Sequence, residues 1–133
     1  MTTFTTEEDP QPLLITETNR IIGNSIAKFN LCDTPPKHIE QGAQRTSFVD
    51  VRREHFNTRS KPELTDAARA WTTGAARALI PSSLVKTGEV EEEAAARQYA
   101  EGLVGGFEEQ CAGVLPLVNM EIVVGRRPVG AGQ

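Results

Sequence analysis

Apolar positions recur at helical spacing in three stretches of this chain and alternate in a fourth. In residues 14–29, Leu14, Ile21, Ile22, Ile26 and Phe29 fall on one side of a 3.6-residue helix, with Thr18 and Ser25 completing the stripe. Thr16 is placed to cap this helix, and Glu17 suits its positive end. In residues 61–79, Leu64, Ala67, Ala68, Trp71, Ala75, Ala78 and Leu79 trace a second face. Ser60-Lys61-Pro62-Glu63 ahead of it has the form of a capping box, with proline in the first turn. Pro81 disfavours helical backbone at Ile80, so the helix is expected to end there, with a turn region over 82–88. Trp71 is expected to be buried, and its truncation to cost about 3–5 kcal/mol. The third stretch, 89–111, opens on Glu89, Glu91, Glu92 and Glu93, where carboxylates are stabilised by the helix dipole. Ala96, Tyr99, Ala100, Leu103, Phe107 and Cys111 carry its apolar stripe, and Gly102, Gly105 and Gly106 predict a close-packed neighbour or a bend.

The alternating stretch is 117–124. Val118, Met120, Ile122 and Val124 interleave with Leu117, Asn119, Glu121 and Val123, which reads as a strand. Residues 47–57 read two ways. Alternation over 47–52 suggests a strand, but Phe48, Val51 and Phe56 also stand at helical offsets, and the reading leans to helix. That leaves the 117–124 strand few partners in its own chain. Its backbone groups cannot be satisfied alone, so it must pair with another strand of this chain or with a second molecule, and the scarcity of other strands favours the second. Residues 30–45, with Pro35, Pro36 and Gly42, read as a long loop. The threonines, acidic run and prolines of residues 1–12 read as an extended arm. Residues 125–133, with Arg126, Arg127 and three glycines, read as a flexible tail. The pattern thus predicts a mainly α fold of the α+β kind. It is a small bundle of three or four helices with a C-terminal strand and extended N- and C-terminal arms, forming one globular domain over 13–124.

Composition narrows the reading. A chain of 133 residues fits one domain. Its hydrophobic share is 38%, much of it alanine, and its aromatic share is 5%. That supports a modest core, with part of the stability supplied by a partner subunit. A net charge of −4 gives no reason to expect nucleic-acid binding. No apolar run reaches the length of a membrane span. The acidic start lacks the pattern of a signal peptide, so the chain is expected in the cytoplasm or within a virus particle. Cys32 and Cys111 are too few for a disulfide framework and are expected as buried free thiols.

The search for chemistry yields little. No phosphate loop or dinucleotide fingerprint is present, and Gly102-Leu103-Val104-Gly105-Gly106 lies inside a helical pattern. Cys32, His38 and His55 have no metal-site spacing, even with Glu54 added, so no metal and no cofactor are expected. A Cys32 nucleophile with His38 or His55 would need a lowered thiol pKa and hydrogen-bond reach, and no catalytic signature surrounds it. The basic group Arg45, Arg52, Arg53, Arg59 and Lys61 outweighs Asp50 and Glu54, whereas 89–110 holds seven carboxylates and one arginine. Such asymmetry suits contact between copies, or anion binding at Arg52 and Arg53.

The expected function is therefore a non-enzymatic structural or assembly subunit of a larger, oligomeric complex. Small bacteriophage capsid or head–tail components share this organisation of arms and added strands. The candidate contact residues are Arg52, Arg53, Arg59, Val118, Met120, Ile122, Val124, Arg126 and Arg127, facing protein subunits. The alternative is a small enzyme or ligand-binding domain using Cys32, His38, His55 and Arg52.

Overall fold

The structure, a computed structural model, describes residues 4–32 and 34–129. The first three residues of the expected arm and the last four of the expected tail lie outside it. Four helices dominate: α1 (Leu13–Phe29), α2 (Pro35–Arg45), α3 (Thr65–Thr87) and α4 (Glu93–Gln110). The strands are β1 (Thr5–Thr6), β2 (Val49–Asn57), β3 (Pro116–Leu117) and β4 (Asn119–Arg126). They form two separate antiparallel pairs, β1 with β3 and β2 with β4. The fold is mainly α with a small antiparallel component, as the hydrophobic pattern predicts. No helix among the described residues is long and apolar enough to cross a membrane.

The chain divides into two compact units. The helical unit holds described residues 4–31 and 58–118, and the ribbon unit holds 32–57 and 119–129.

The helical unit contains the core. Leu14 and Ile21 of α1 pack with Ala76, Ile80 and Leu84 of α3 and with Ala100, Val104 and Phe107 of α4. The α1 helix starts at Leu13, ahead of Thr16, because the Pro12 carbonyl accepts the Ile15 and Thr16 N–H groups at 3.0 and 3.1 Å. It ends at Asn30, whose φ of 51° closes the turn in the left-handed region. The expected capping box before α3 does not form. Pro62–Leu64 is a 3₁₀ turn, and the Thr65 hydroxyl donates back to the Pro62 carbonyl at 2.7 Å.

The α3 helix also continues through Pro81 to Thr87 and closes at Gly88, at φ 80°. Proline removes one helical hydrogen bond. The extra turn compensates by carrying Leu84 into the core, where it is buried beside Ile80 and Pro81. A second correction concerns which face of α3 is inside. The buried line is Ala68, Thr72, Ala76, Ile80 and Leu84, joined by Thr73. Its small side chains let α1 and α4 come close. Apart from Ala68 and the half-buried Ala75, the expected stripe is rotated away, and Trp71 is 55% exposed, with its ring 5.9 Å from the Phe4 ring between centroids. The cost expected for truncating a buried tryptophan does not apply to it.

The α4 helix begins at Glu93, not at 89. Cβ atoms built on Gly102, Gly105 or Gly106 would meet nothing within 4 Å, so no described backbone packs closely there. Cys111 is half-buried and Cys32 exposed, and both are free. The expectation of two buried thiols is corrected accordingly.

Residues 4–12 lie on the helical unit. Thr5 and Thr6 pair with Leu117 and Pro116. Phe4 exchanges two hydrogen bonds with the Asn19 amide, at 2.8 and 2.7 Å, and the Gln11 side chain holds Thr6. The arm segment meets complementary polar groups, which outweighs its lack of apolar residues.

Three hydroxyls in this unit, those of Thr18, Ser25 and Thr72, are buried without a hydrogen-bond partner among the described residues. An unsatisfied buried hydroxyl costs free energy, whereas a methyl of the same shape does not. Thr72→Val is therefore expected to raise unfolding stability by about 1 kcal/mol, measured as an increased urea midpoint at unchanged slope. A lowered midpoint would show that the hydroxyl has a role the packing conceals.

Candidate functional site

The ribbon unit departs furthest from expectation. Within residues 47–57, which lean to helix in the sequence, Val49–Asn57 forms β2. Along one edge β2 gains backbone partners from β4, which suits its β-branched and aromatic residues. The strand expected to seek a second molecule is thus paired within its own chain, from Arg52 opposite Val124 to Asn57 opposite Asn119. A register shift between Val49 and Arg52 marks a bulge, with Asp50 at φ 54°. The expected loop over 30–45 contains α2, started by Pro35 and Pro36, where a missing N–H costs nothing.

Helix α2 packs against both strands, and its Glu40 carboxylate reaches Arg53 at 3.3 Å. One face of the ribbon, carrying Arg53, His55 and Val123, therefore meets α2. The alternation of a strand places Arg52, Glu54 and Phe56 on the other face, directly opposite Val124, Ile122 and Met120. There Phe56, Met120 and Ile122 are 50%, 56% and 42% exposed. No described residue of the ribbon unit is buried. Helix α2 covers one face of the ribbon, so the apolar face opposite it is the strongest candidate surface in the unit. Phe56 was not among the contact residues expected from sequence. Its signal was the alternation Glu54–Phe56, masked by the helical offsets.

Val118 belongs to the helical unit, where its N–H and C=O are both held by Thr58, at 3.0 and 3.3 Å. The basic group is largely neutralised by local partners. Arg52 binds Glu54 at 2.8 Å, Arg59 binds Glu7 at 3.2 Å, and Arg126 pairs with Asp50. Each is an exposed pair worth little stability, but each lowers the field available to an anion. Arg127 is exposed beyond the end of β4.

The residues of the enzymatic alternative do not share one face. Arg52 and His55 project from opposite sides of the ribbon. Cys32 and His38 are exposed, and His38 lies on α2. No group of three His, Cys, Asp or Glu side chains among the described residues is arranged to hold a metal ion.

In the helical unit, charged groups meet as a clamp. Arg20 on α1 donates to Glu17 at 2.9 Å and to Glu89 at 2.7 Å, and the Tyr99 hydroxyl on α4 donates to Glu17 at 2.9 Å. The Arg20 hydrogen bonds hold both carboxyls below the usual range, and burial raises the Tyr99 phenol. A cleft of about 410 Å³ between α3 and α4 is lined by Arg77, Glu93, Arg97 and Glu101, among others. These four pair off as Arg77–Glu101 and Arg97–Glu93. No family model, curated protein or solved structure matches this chain.

Proposed function

We propose that the chain is a non-enzymatic structural or assembly subunit of a larger complex, in the manner of the capsid or head–tail components of a bacteriophage particle. The observation that carries this reading is the ribbon unit. It buries no described residue, yet aligns Phe56, Met120 and Ile122 on the face away from Arg53. Burying such side chains yields about 1.5–3 kcal/mol each, and a neighbouring subunit is the cover that this arrangement favours. The outer edges of β2 and β4 have no strand beside them among the described residues. They are open to an added strand from that neighbour. The phage analogy rests on organisation, not on sequence.

The test is the mass of the native complex recovered from its source. The chain is expected to sediment with large particles, and Ile122→Lys to prevent its incorporation while leaving the helical content unchanged. A chain recovered only as a free protein near 14.5 kDa would overturn the proposal.

A further inference from the structure

Helix α3 carries a second apolar face, in the helical unit and on the side away from the core. Leu64, just before the helix, and Ala67, Trp71, Gly74, Ala78 and Val85 recur there at helical spacing, all exposed, with no charged residue between them on that line. Trp71 and Leu64 stand out from it as knobs. Gly74, near its middle, would have nothing within 4 Å of an added Cβ. Beside its C-terminal half, α1 and α3 leave an open cleft of about 470 Å³ walled by Phe29, Leu31 and Leu79, with Lys86 at the rim. The buried Ser25 hydroxyl also lines this cleft, without a partner among the described residues.

We infer that this face is covered by the same face of a second copy, with the two α3 helices antiparallel about a two-fold axis at Gly74 and Ala75. The inference names a partner within the assembly reading and rests on that reading only in taking the chain to work in several copies. A two-fold contact requires self-complementary features at equal distances from the axis. Here Trp71 lies as far from the axis on one side as Ala78 on the other, and Leu64 as far as Val85. Each tryptophan thus meets the other copy's Ala78, which lines the cleft shared with α4, close to Ser82, where the apolar cleft beside Leu79 begins. Charge agrees with this direction. Glu63, next to Leu64, is brought to the end of the partner helix that carries Lys86, and antiparallel helix dipoles attract.

Trp71 is the single tryptophan of the chain and reports on the contact directly. Sedimentation equilibrium and acrylamide quenching are measured on the full chain over a concentration series. A monomer–dimer equilibrium is expected, with indole quenching falling as the dimer forms. Ala78→Arg, at an exposed position, is expected to raise the dimer dissociation constant about 100-fold, which corresponds to about 2.7 kcal/mol. Lys86→Glu is expected to weaken the dimer, and Glu63→Lys added to it to restore the affinity. If Ala78→Arg dimerises like the parent chain, or if the charge swap fails to restore binding, the α3 contact is wrong. If Ile122→Lys dissociates the dimer instead, the ribbon makes the contact, and only this inference falls. A chain that is monomeric at every concentration yet enters its native complex likewise overturns the α3 contact and leaves the assembly reading standing.

Discussion

Replacing Phe107 by alanine is expected to remove about 3–5 kcal/mol of unfolding free energy. Phe107 is 3% exposed and packs in the cluster that joins α1, α3 and α4. Its ring also lies under the Arg69 guanidinium, at 4.4 Å from the centroid. Truncation therefore removes transfer energy, leaves a cavity among helices that cannot fully collapse, and takes the ring from beneath a cation. Against a typical total of about 5–15 kcal/mol, the loss leaves the helical unit near its threshold. Urea denaturation followed by circular dichroism measures it as a lowered midpoint with an unchanged slope. Trp71→Ala is the control, because half of that side chain is in water and less apolar area is lost. Equal effects of the two substitutions, measured at concentrations where the chain is monomeric, would refute the assignment of inner and outer faces on α3 and α4.

Replacing Arg69 by methionine is expected to cost about 2–3 kcal/mol, the second largest loss. The Arg69 guanidinium donates to the Cys111 carbonyl at 2.7 Å and to the Val114 carbonyl at 3.0 Å. These carbonyls follow the end of α4, where helical N–H donors have run out. The same side chain fixes the turn that leads to β3 and covers Phe107. Methionine keeps much of the apolar cover but has no donor, so the loss isolates the hydrogen bonds and the cation–ring contact. Arg69→Lys should fall between: an ammonium can donate to both carbonyls as the single Arg69 Nη1 does, but it lacks the planar group that stacks over the Phe107 ring. Thermal unfolding of the three proteins orders them. A methionine variant as stable as the parent would show that water replaces the guanidinium at no cost.

The helices were legible where periodicity and composition agreed. Leu14, Ile21 and Ser25 are buried on α1, and Ala96, Ala100, Leu103 and Phe107 on α4, as the helical spacing predicts. On α3 the spacing pointed to a helix but to the wrong side of it. Two stripes there have comparable apolar character, one of alanines and threonines with Ile80 and Leu84, the other with Leu64 and Trp71. Periodicity cannot rank two such faces. Packing can, because the smaller side chains permit closer helices. The candidate site was legible in part. Met120, Ile122 and Val124 fall on one face of a strand, as their alternation predicts, but Phe56 joins them only through the register of β2.

What the chain determines locally is the existence of α1, α3 and α4, the strand near its C-terminus, and a net acidic balance. These follow from short-range periodicity, turn residues and counts of charge, which do not depend on distant partners. What the tertiary structure decided is everything that needs two segments to meet. It paired 49–57 with 119–126 and turned an ambiguous stretch into a strand. It laid residues 4–12 on the helical unit by hydrogen bonds, and it carried α3 past Pro81 because Leu84 gains a place in the core. Backbone pairing and burial are energies of contact, and neither is stored in the residues of one segment alone.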